Sequence, residues 1–393
     1  MSVKRNAVVT DFVANHVRSI PRSGIRDFFE IVQSMTDVVS LGIGEPDFAT
    51  PWHIREAAIY ALEKGKTGYT SNLGLPRLRK SIARYVRQNY HVEYDALSEV
   101  LVAVGVSEAM DIALRAVINP GDEVLYHSPC YVSYNPSILL VHGKPVEIPT
   151  LAEDHFKLRP EALKAKITAK SKVLILNFPT NPTGAVMNQQ ELLAIAEVCQ
   201  QHDLLVITDE IYSELSYGET HCSIASLPGM RERCIFLHGF SKAFAMTGFR
   251  VGYACAPVAL IEAMMRIHQY AMLCAPIISQ EAAIEALENG QSDMEQMREQ
   301  YQLRRNFLLN SFREIGIPCF NAQGAFYLFP RIDQTGLNSR EFAVRLLEEQ
   351  KVAVVPGNAF GASGEGHVRC SYATGMDQLE VAVERIGKFV RSL

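Results

Sequence analysis

Short apolar runs rich in β-branched residues alternate with helix-length segments between about residues 99 and 256. The runs cover residues 100–104, 123–127, 173–177, 204–208, 235–238 and 251–254. Apolar strands separated by amphipathic segments are typical of βαβ units and of a mostly parallel sheet covered on both faces. The sequence therefore predicts an α/β fold whose ligand lies beyond the carboxyl ends of the strands.

The last third of the chain has a different pattern. Residues 277–315 are helical in periodicity and predict a connector, and shorter strand signals follow at 325–329, 352–355 and 367–372. An amphipathic helix is predicted over 376–390. Because 393 residues exceed one ordinary core, we expect a second, smaller α+β domain that also takes in the residues before about 45.

Composition excludes several classes of partner. The chain has 38 basic and 43 acidic residues, a formal net charge of −5, which gives no reason to expect nucleic acid or an anionic membrane. Its eight cysteines have neither metal-ligand nor CxxC spacing, so no metal site is predicted. Without a signal-peptide pattern or an apolar run of membrane length, the cytoplasm is the expected compartment.

A lysine follows the predicted strand 235–238. Residues 239–252 read GFSKAFAMTGFRVG, which puts Lys242 beside small residues and Arg250 eight positions later. A lysine amine so placed can bond a phosphate-bearing aldehyde, and arginine offers two parallel donors to phosphate oxygens. An exposed lysine near a structural arginine is the alternative, and so long and ordered a motif disfavours it. The motif predicts that Lys242 holds pyridoxal phosphate and that Arg250 binds its phosphate.

An acid and a phenol stand at the end of another predicted strand. Residues 205–212 read LVITDEIY, with Asp209 at the strand end and Tyr212 three residues later. A carboxylate beside a pyridine nitrogen keeps it protonated, so that the ring can accept the electrons of an α-carbanion. Tyr212 would donate a hydrogen bond to the phenolate oxygen of the cofactor. Taken alone, Asp209 could equally be a helix cap.

Other strand ends supply further candidate contacts with the cofactor. Residues 177–184 read NFPTNPTG, a turn from which Asn181 could donate its amide to the same phenolate oxygen. Val106 and Ser107 open a helical pattern whose N–H groups and dipole would bind phosphate, although Ser107 is also a plausible N-cap. Tyr131 could stack on the pyridine ring, and its alternative is an ordinary core position.

Together these residues resemble the fold type I aminotransferases of class I and II, over essentially the whole chain. Similar segments are also found at 41–48 (LGIGEPDF), 366–373 (GHVRCSYA) and 68–70 (GYT). The segments 23–26 (SGIR) and 355–357 (VPG) are most similar to the branch that holds archaeal aromatic, bacterial aspartate and acetyl-diaminopimelate aminotransferases.

The resemblance implies residues for the substrate and for a partner subunit. Arg369 would pair with the substrate α-carboxylate, which the backbone of Gly44 would also touch. Tyr131 and Asn181 would line the same substrate site. Tyr69 would reach the phosphate bound by a neighbouring subunit, so the expected unit is a homodimer with shared active sites.

The attachment motif departs from many relatives at one position. They carry a serine three residues before the lysine, where its hydroxyl contacts the phosphate, whereas this chain has Gly239. Ser241, next to Lys242, is the candidate that could compensate.

The resemblance also implies domains and a reaction. A large domain of residues 46–290 would carry a mostly parallel sheet and pyridoxal 5'-phosphate, and residues 1–45 and 291–393 would form the smaller domain. Lys242 would move the α-proton while an amino acid is converted into a 2-oxo acid, and a second 2-oxo acid such as 2-oxoglutarate would complete a ping-pong cycle.

Alternatives to transamination remain at this point. They are another reaction on the same scaffold, such as C–S β-elimination, decarboxylation or racemisation, and a regulatory module that binds the cofactor without turnover. The latter would need a preceding DNA-binding domain, for which the matching segments leave no room. The amino donor is open: His16, Arg22 and Arg26 lie where specificity contacts could form, and structural roles are favoured for each.

Overall fold

Short strands alternate with helices in the part of the chain that the structure describes. It is a computed structural model and describes residues 12–18, 20, 35–218 and 220–393. The strands are β1 (Val39–Ser40), β2 (Val100–Ala103), β3 (Glu123–Ser128), β4 (Lys144–Pro149), β5 (Ser171–Leu176), β6 (Leu205–Asp209), β7 (Cys234–Gly239), β8 (Gly252–Cys255), β9 (Tyr327–Leu328), β10 (Val352–Ala353), β11 (Val355–Pro356) and β12 (Val368–Ser371). The α-helices are α1 (Asn15–Arg18), α2 (Trp52–Glu63), α3 (Pro76–Tyr90), α4 (Gly105–Val117), α5 (Tyr134–Leu140), α6 (Pro160–Lys164), α7 (Gln189–Gln201), α8 (Phe240–Ala243), α9 (Val258–Ala271), α10 (Ile277–Asn289), α11 (Gln291–Ile315), α12 (Ser339–Gln350) and α13 (Met376–Arg391).

A seven-stranded sheet lies at the centre, in the order β2-β8-β7-β6-β5-β3-β4. Neighbouring strands pair in parallel except for β8, which is antiparallel to both β2 and β7. The predicted α/β fold with a mostly parallel sheet is therefore confirmed.

Helices cover both faces of this sheet, because successive strand residues point to opposite sides. Leu101 and Ile235 belong to the apolar cluster under α4 and α9. Val102 and Phe236, their neighbours along the chain, belong to the cluster that includes residues of α2, α3 and α10. Burial on both faces explains why these strands have near-continuous apolar sequences.

The C-terminal strands form two small sheets. β9, β12 and β11 make an antiparallel sheet, and β1 pairs in parallel with β10. A third apolar cluster joins residues of β1 to α11, α12 and α13. The cluster also includes Tyr212, Leu215, Tyr217 and Ala245, so it crosses the expected boundaries at 45 and 290, and that division stays a prediction.

Within the described residues, no helix has the length and apolar character to cross a membrane. The same residues contain no group of three or more histidine, cysteine, aspartate or glutamate side chains that could hold a metal ion. All eight cysteines are described and all are free thiols.

Candidate active site

A cavity of about 580 Å³ opens beyond the carboxyl ends of the parallel strands. Its walls contain the predicted site residues Gly44, Val106, Ser107, Tyr131, Asn181, Asp209, Tyr212, Ser241, Lys242, Arg250 and Arg369. These residues come from at least seven separate segments of sequence, which the fold brings together at the edge of the central sheet. Tyr69 is the predicted site residue that does not line it, and its side chain is 85% exposed.

Lys242 lies in α8, the short helix that directly follows β7. Its Nζ donates a hydrogen bond to the carbonyl oxygen of Gly44 at 2.7 Å. Burial lowers the pKa of Lys242 to about 8, with the Glu45 carboxylate opposing that shift. A lysine with such a pKa is partly neutral near physiological pH, so its amine can act as a nucleophile.

Asp209 is the last residue of β6 and is buried. The Tyr134 hydroxyl donates to its Oδ2 at 2.8 Å, and the Ile211 amide donates to its Oδ1 at 3.3 Å. Burial raises the pKa of Asp209 to about 6. The N-cap of the 3₁₀ helix that follows is Tyr212. Asp209 therefore does not cap that helix.

Arg369, on β12, is held by two hydrogen bonds and by two aromatic rings. Its Nη1 donates to Asn181 Oδ1 at 2.8 Å, and its Nη2 donates to the Gly42 carbonyl at 2.7 Å. The guanidinium carbon lies 4.4 Å from the ring centre of Tyr327 and 4.8 Å from that of Phe360. Its Nε is buried without a partner among the described residues. This orphaned donor and the fixed plane suit a carboxylate ligand.

A set of donors converges where α4 begins. Gly105 has a φ of +77°, and a Cβ there would lie 2.7 Å from Arg250 Nη2, so only glycine lets the arginine approach. The N-cap of α4 is Val104, which shows that Ser107 does not cap this helix. The first N–H groups of a helix lack intrahelical partners and favour anions. Ser241 lines the same cavity.

A family comparison identifies the chain. The family model described as "Aminotransferase class I and II" matches residues 36–386. The chain belongs to that family. It is 47% identical to an aspartate aminotransferase of Pyrococcus abyssi, over 94% of this chain and 96% of the relative. It is 42% identical to aromatic-amino-acid aminotransferase 2 of Thermococcus litoralis, over 96% and 98%.

Solved structures agree with this assignment. The aromatic aminotransferase of Pyrococcus horikoshii superposes with a TM-score of 0.89 at 45% identity, over 94% of this chain and 99% of that one. The predicted resemblance is confirmed, and these relatives support transamination over the β-lyase and decarboxylase alternatives.

Three side chains of this aminotransferase's cavity were not predicted. Asn177 donates its amide to the Asp209 backbone carbonyl at 2.9 Å, and in the sequence such an asparagine is equally compatible with capping a turn. Tyr134, three residues after Tyr131, contacts Asp209. Tyr327 lines the cavity from a strand about 115 positions from Tyr212, and no local sequence signal marks it.

The N-terminal candidates are only partly described in this aminotransferase. The ring centres of His16 and His142 are 4.6 Å apart, and His16 is not among the residues that line the cavity. Arg22, Arg26 and the segment 23–26 lie outside the described residues.

Proposed function

We propose that this aminotransferase uses pyridoxal 5'-phosphate and that Lys242 carries it covalently. One observation carries the proposal: the partly buried Lys242 amine, with its pKa lowered to about 8, shares one cavity with the Asp209 carboxylate and the Arg250 guanidinium. The amine can bond the aldehyde of the cofactor, the carboxylate can pair with its pyridine nitrogen, and the guanidinium can bind its phosphate. The residues present therefore fit this cofactor.

The phosphate would lie between α4 and Arg250. The Val106 and Ser107 amides, the Arg250 guanidinium and the Ser241 hydroxyl supply its donors, with Tyr69 of a second subunit as a further one. A phosphate removed from water needs such a set of donors, since its burial otherwise costs several kcal/mol or more. The glycine at 105, where a Cβ would meet Arg250, supports this arrangement.

Other side chains would hold the ring of the cofactor. Asp209 would bind the pyridine nitrogen and keep it protonated, and Tyr134 fixes the orientation of that carboxylate. Tyr212 and the Asn181 amide would donate to the phenolate oxygen. Asn181 is suited to this because its Oδ1 already accepts from Arg369, which leaves its NH₂ to donate. Tyr131 would pack on the face of the ring.

When bound, pyridoxal phosphate supplies an electron sink and a transient carrier for the amino group. Arg369 and the Gly44 backbone would hold the substrate carboxylate, which turns the α-hydrogen toward Lys242. The Lys242 amine would then take the α-proton and deliver it to the aldehyde carbon of the cofactor, so that the nitrogen stays with the cofactor when water releases the 2-oxo acid. The products of one ping-pong cycle are a 2-oxo acid from the first amino acid and a new amino acid from the second 2-oxo acid.

The substrate proposal follows the named relatives. We place L-amino acids of the aromatic and aspartate groups among the donors and 2-oxoglutarate among the acceptors, because the relatives carry both kinds of name. The proposed assembly is a homodimer, and its proposed location is the cytoplasm. Eight free thiols are typical of a reducing compartment, which supports that location.

Borohydride reduction tests the proposal. Reduction should fix the cofactor to the peptide that contains Lys242, and proteolysis with mass spectrometry should locate it there. The Lys242→Ala variant should lose both the label and nearly all turnover. Lys172→Ala serves as the matched control, because Lys172 pairs with Asp122 on the surface and should keep both. A label on any other lysine would overturn the assignment.

A further inference from the structure

Tyr327 touches both the cofactor side and the substrate side of the cavity. Tyr327 lies on β9 and is fully buried. In the sheet it lies opposite Ser371 of β12, the strand that also carries Arg369. Its hydroxyl oxygen lies 2.9 Å from the Tyr212 hydroxyl oxygen, and its ring lies under the Arg369 guanidinium. A Cβ on Gly44 would come within 2.6 Å of the same hydroxyl.

Which of the two hydroxyls donates in the Tyr327–Tyr212 hydrogen bond is fixed once Tyr212 itself donates to a ligand. A tyrosine hydroxyl carries one proton, so Tyr212 can donate to a ligand only if Tyr327 donates to Tyr212. Among the described residues, the Tyr327 hydroxyl forms its hydrogen bond with the Tyr212 hydroxyl. Burial raises the pKa of Tyr212 well above its usual value, so the phenol stays protonated and available as a donor.

The ring contact acts on a different group. The Arg369 guanidinium packs against two rings, those of Tyr327 and Phe360, and both contacts restrain its orientation. Phe360 has no hydroxyl that could reach Tyr212. The two aromatic residues therefore share the effect on Arg369, and only Tyr327 adds an effect on Tyr212.

We infer that Tyr327 is a positioning residue with two separable roles: its hydroxyl directs the Tyr212 proton at the cofactor, and its ring holds Arg369 in the plane that binds the substrate carboxylate. This inference rests on the proposed cofactor and on Lys242 as its attachment. Tyr327 would touch no reacting atom, yet it would influence both the Tyr212 contact with the cofactor and the Arg369 contact with the substrate carboxylate.

Removing only the Tyr327 hydroxyl should change the pKa of the bound cofactor and leave the KM for the substrate nearly unchanged. Tyr212 donates to the phenolate oxygen and so favours an unprotonated nitrogen on the Lys242-linked cofactor. Without Tyr327 to orient it that donation weakens, so the pKa of the Lys242-linked cofactor should rise by about 0.5 to 1 unit in Tyr327→Phe. The ring remains, so KM should stay within about threefold of wild type.

Phe360→Leu is the matched control with the opposite pattern. It removes the second ring from Arg369 and leaves the Tyr212 contact, so KM for the amino acid should rise about three- to tenfold with an unchanged cofactor pKa. Tyr327→Leu should show both effects. Besides Tyr327 itself, the charged and titratable groups facing Lys242 and Tyr212 are Glu45, Tyr131, Asp209, Arg250 and Arg369, and the variants alter none of these five.

The experiment is a pH titration of the visible absorption of each holoenzyme, with steady-state KM and kcat for the same samples. Thermal unfolding of each variant shows whether it has folded. A pKa unchanged within about 0.2 unit in Tyr327→Phe would overturn the inference, as would an equal shift in Phe360→Leu. A wild-type protein without any visible cofactor band would instead overturn the proposed function.

Discussion

Burial of the Asp209 carboxyl destabilises the cofactor-free protein at neutral pH and, in the proposed holoenzyme, would favour binding of the cofactor. The Asp209 carboxyl is 5% exposed, and burial raises its pKa from 3.8 to about 6. At neutral pH the cofactor-free protein must therefore hold a buried negative charge, which forms no ion pair within the described part of the chain and is hydrogen-bonded by Tyr134 and the Ile211 amide. A protonated pyridine nitrogen would compensate that charge, so this cost and the affinity for the cofactor have one origin.

The sign of this effect can be tested with Asp209→Asn in the cofactor-free protein. Between a pKa near 4 unfolded and about 6 folded, the folded state binds more protons, so wild-type stability falls as pH rises through that window. The variant has no such charge. Its free energy of unfolding relative to wild type should increase by on the order of 2 kcal/mol between pH 4 and pH 7.5.

Urea unfolding at the two pH values measures this difference. Asp122→Asn is a control with the opposite sign, because the Lys172 ammonium group and the Asn119 backbone amide lower the pKa of Asp122. A relative stability of Asp209→Asn that does not change with pH would show that the folded carboxyl has an ordinary pKa.

The cavity residues that could be predicted from the sequence lie in local motifs. Lys242 and Arg250 belong to one segment of fourteen residues, and Asp209 follows a recognisable strand. Tyr327 and Tyr134 were missed because their roles depend on contacts across the fold, with Tyr212 and Asp209 respectively. A buried tyrosine in an apolar sequence has the same local pattern whether or not its hydroxyl faces a ligand.

At the level of elements, the departure at Gly239 has a steric explanation. Gly239 ends β7, and a Cβ on it would lie 3.0 Å from Val106 Cγ2, at the start of α4, and 3.2 Å from the Gly252 Cα. The valine methyl group lies where a side chain at 239 would begin. Strand and helix thus pack through a glycine and a valine, and a serine at 239 would have to displace this valine by a few tenths of an ångström.

This packing predicts a non-additive pair of substitutions. Gly239→Ser alone should destabilise the cofactor-free protein by about 1–3 kcal/mol, because overpacking forces neighbouring atoms apart. Adding Val106→Ala should recover at least half of that loss in a double-mutant cycle. Gly248→Ser is the control, since no atom lies within 4 Å of a Cβ there. Additive losses, measured by urea unfolding, would contradict a direct contact between 239 and 106.

Burial separates the strands of the central sheet that the sequence predicted from the one that it missed. β2, β3, β7 and β8 are buried at every position, and their sequences are mostly apolar. β4 forms the edge of the sheet, is exposed at Lys144 and Pro149, and lacks an apolar pattern. Prolines are tolerated there because an edge strand need not donate on its outer side. The antiparallel direction of β8 depends on the chain's path and leaves no local signal.

For the whole molecule, the exposed aromatic residues support the proposed dimer. Tyr69 is 85% exposed, Tyr270 is 88% exposed, and Trp52 and Tyr60 of α2 are each more than half exposed. Large aromatic side chains in water are costly and are enriched at protein interfaces. A second subunit that covers them would also bring Tyr69 to a cavity that it does not reach in its own chain.

Mixing two inactive variants tests whether Tyr69 completes the partner's site. Tyr69→Ala should bind the cofactor weakly, and Lys242→Ala should be inactive. In their heterodimer one site carries both lesions, while the other combines an intact Lys242 with an intact Tyr69. Each heterodimer should therefore recover about half of the wild-type activity at limiting cofactor, because a two-fold dimer has two equivalent sites.

The control for this experiment pairs Lys242→Ala with Asp209→Ala. Both residues line the same cavity of one chain, so every site in that heterodimer carries a lesion, and no activity should return. Native mass spectrometry shows in both mixtures that subunits have exchanged. Recovery with Tyr69→Ala but not with Asp209→Ala requires a site built from two chains, since a tyrosine that served its own subunit would behave as Asp209 does.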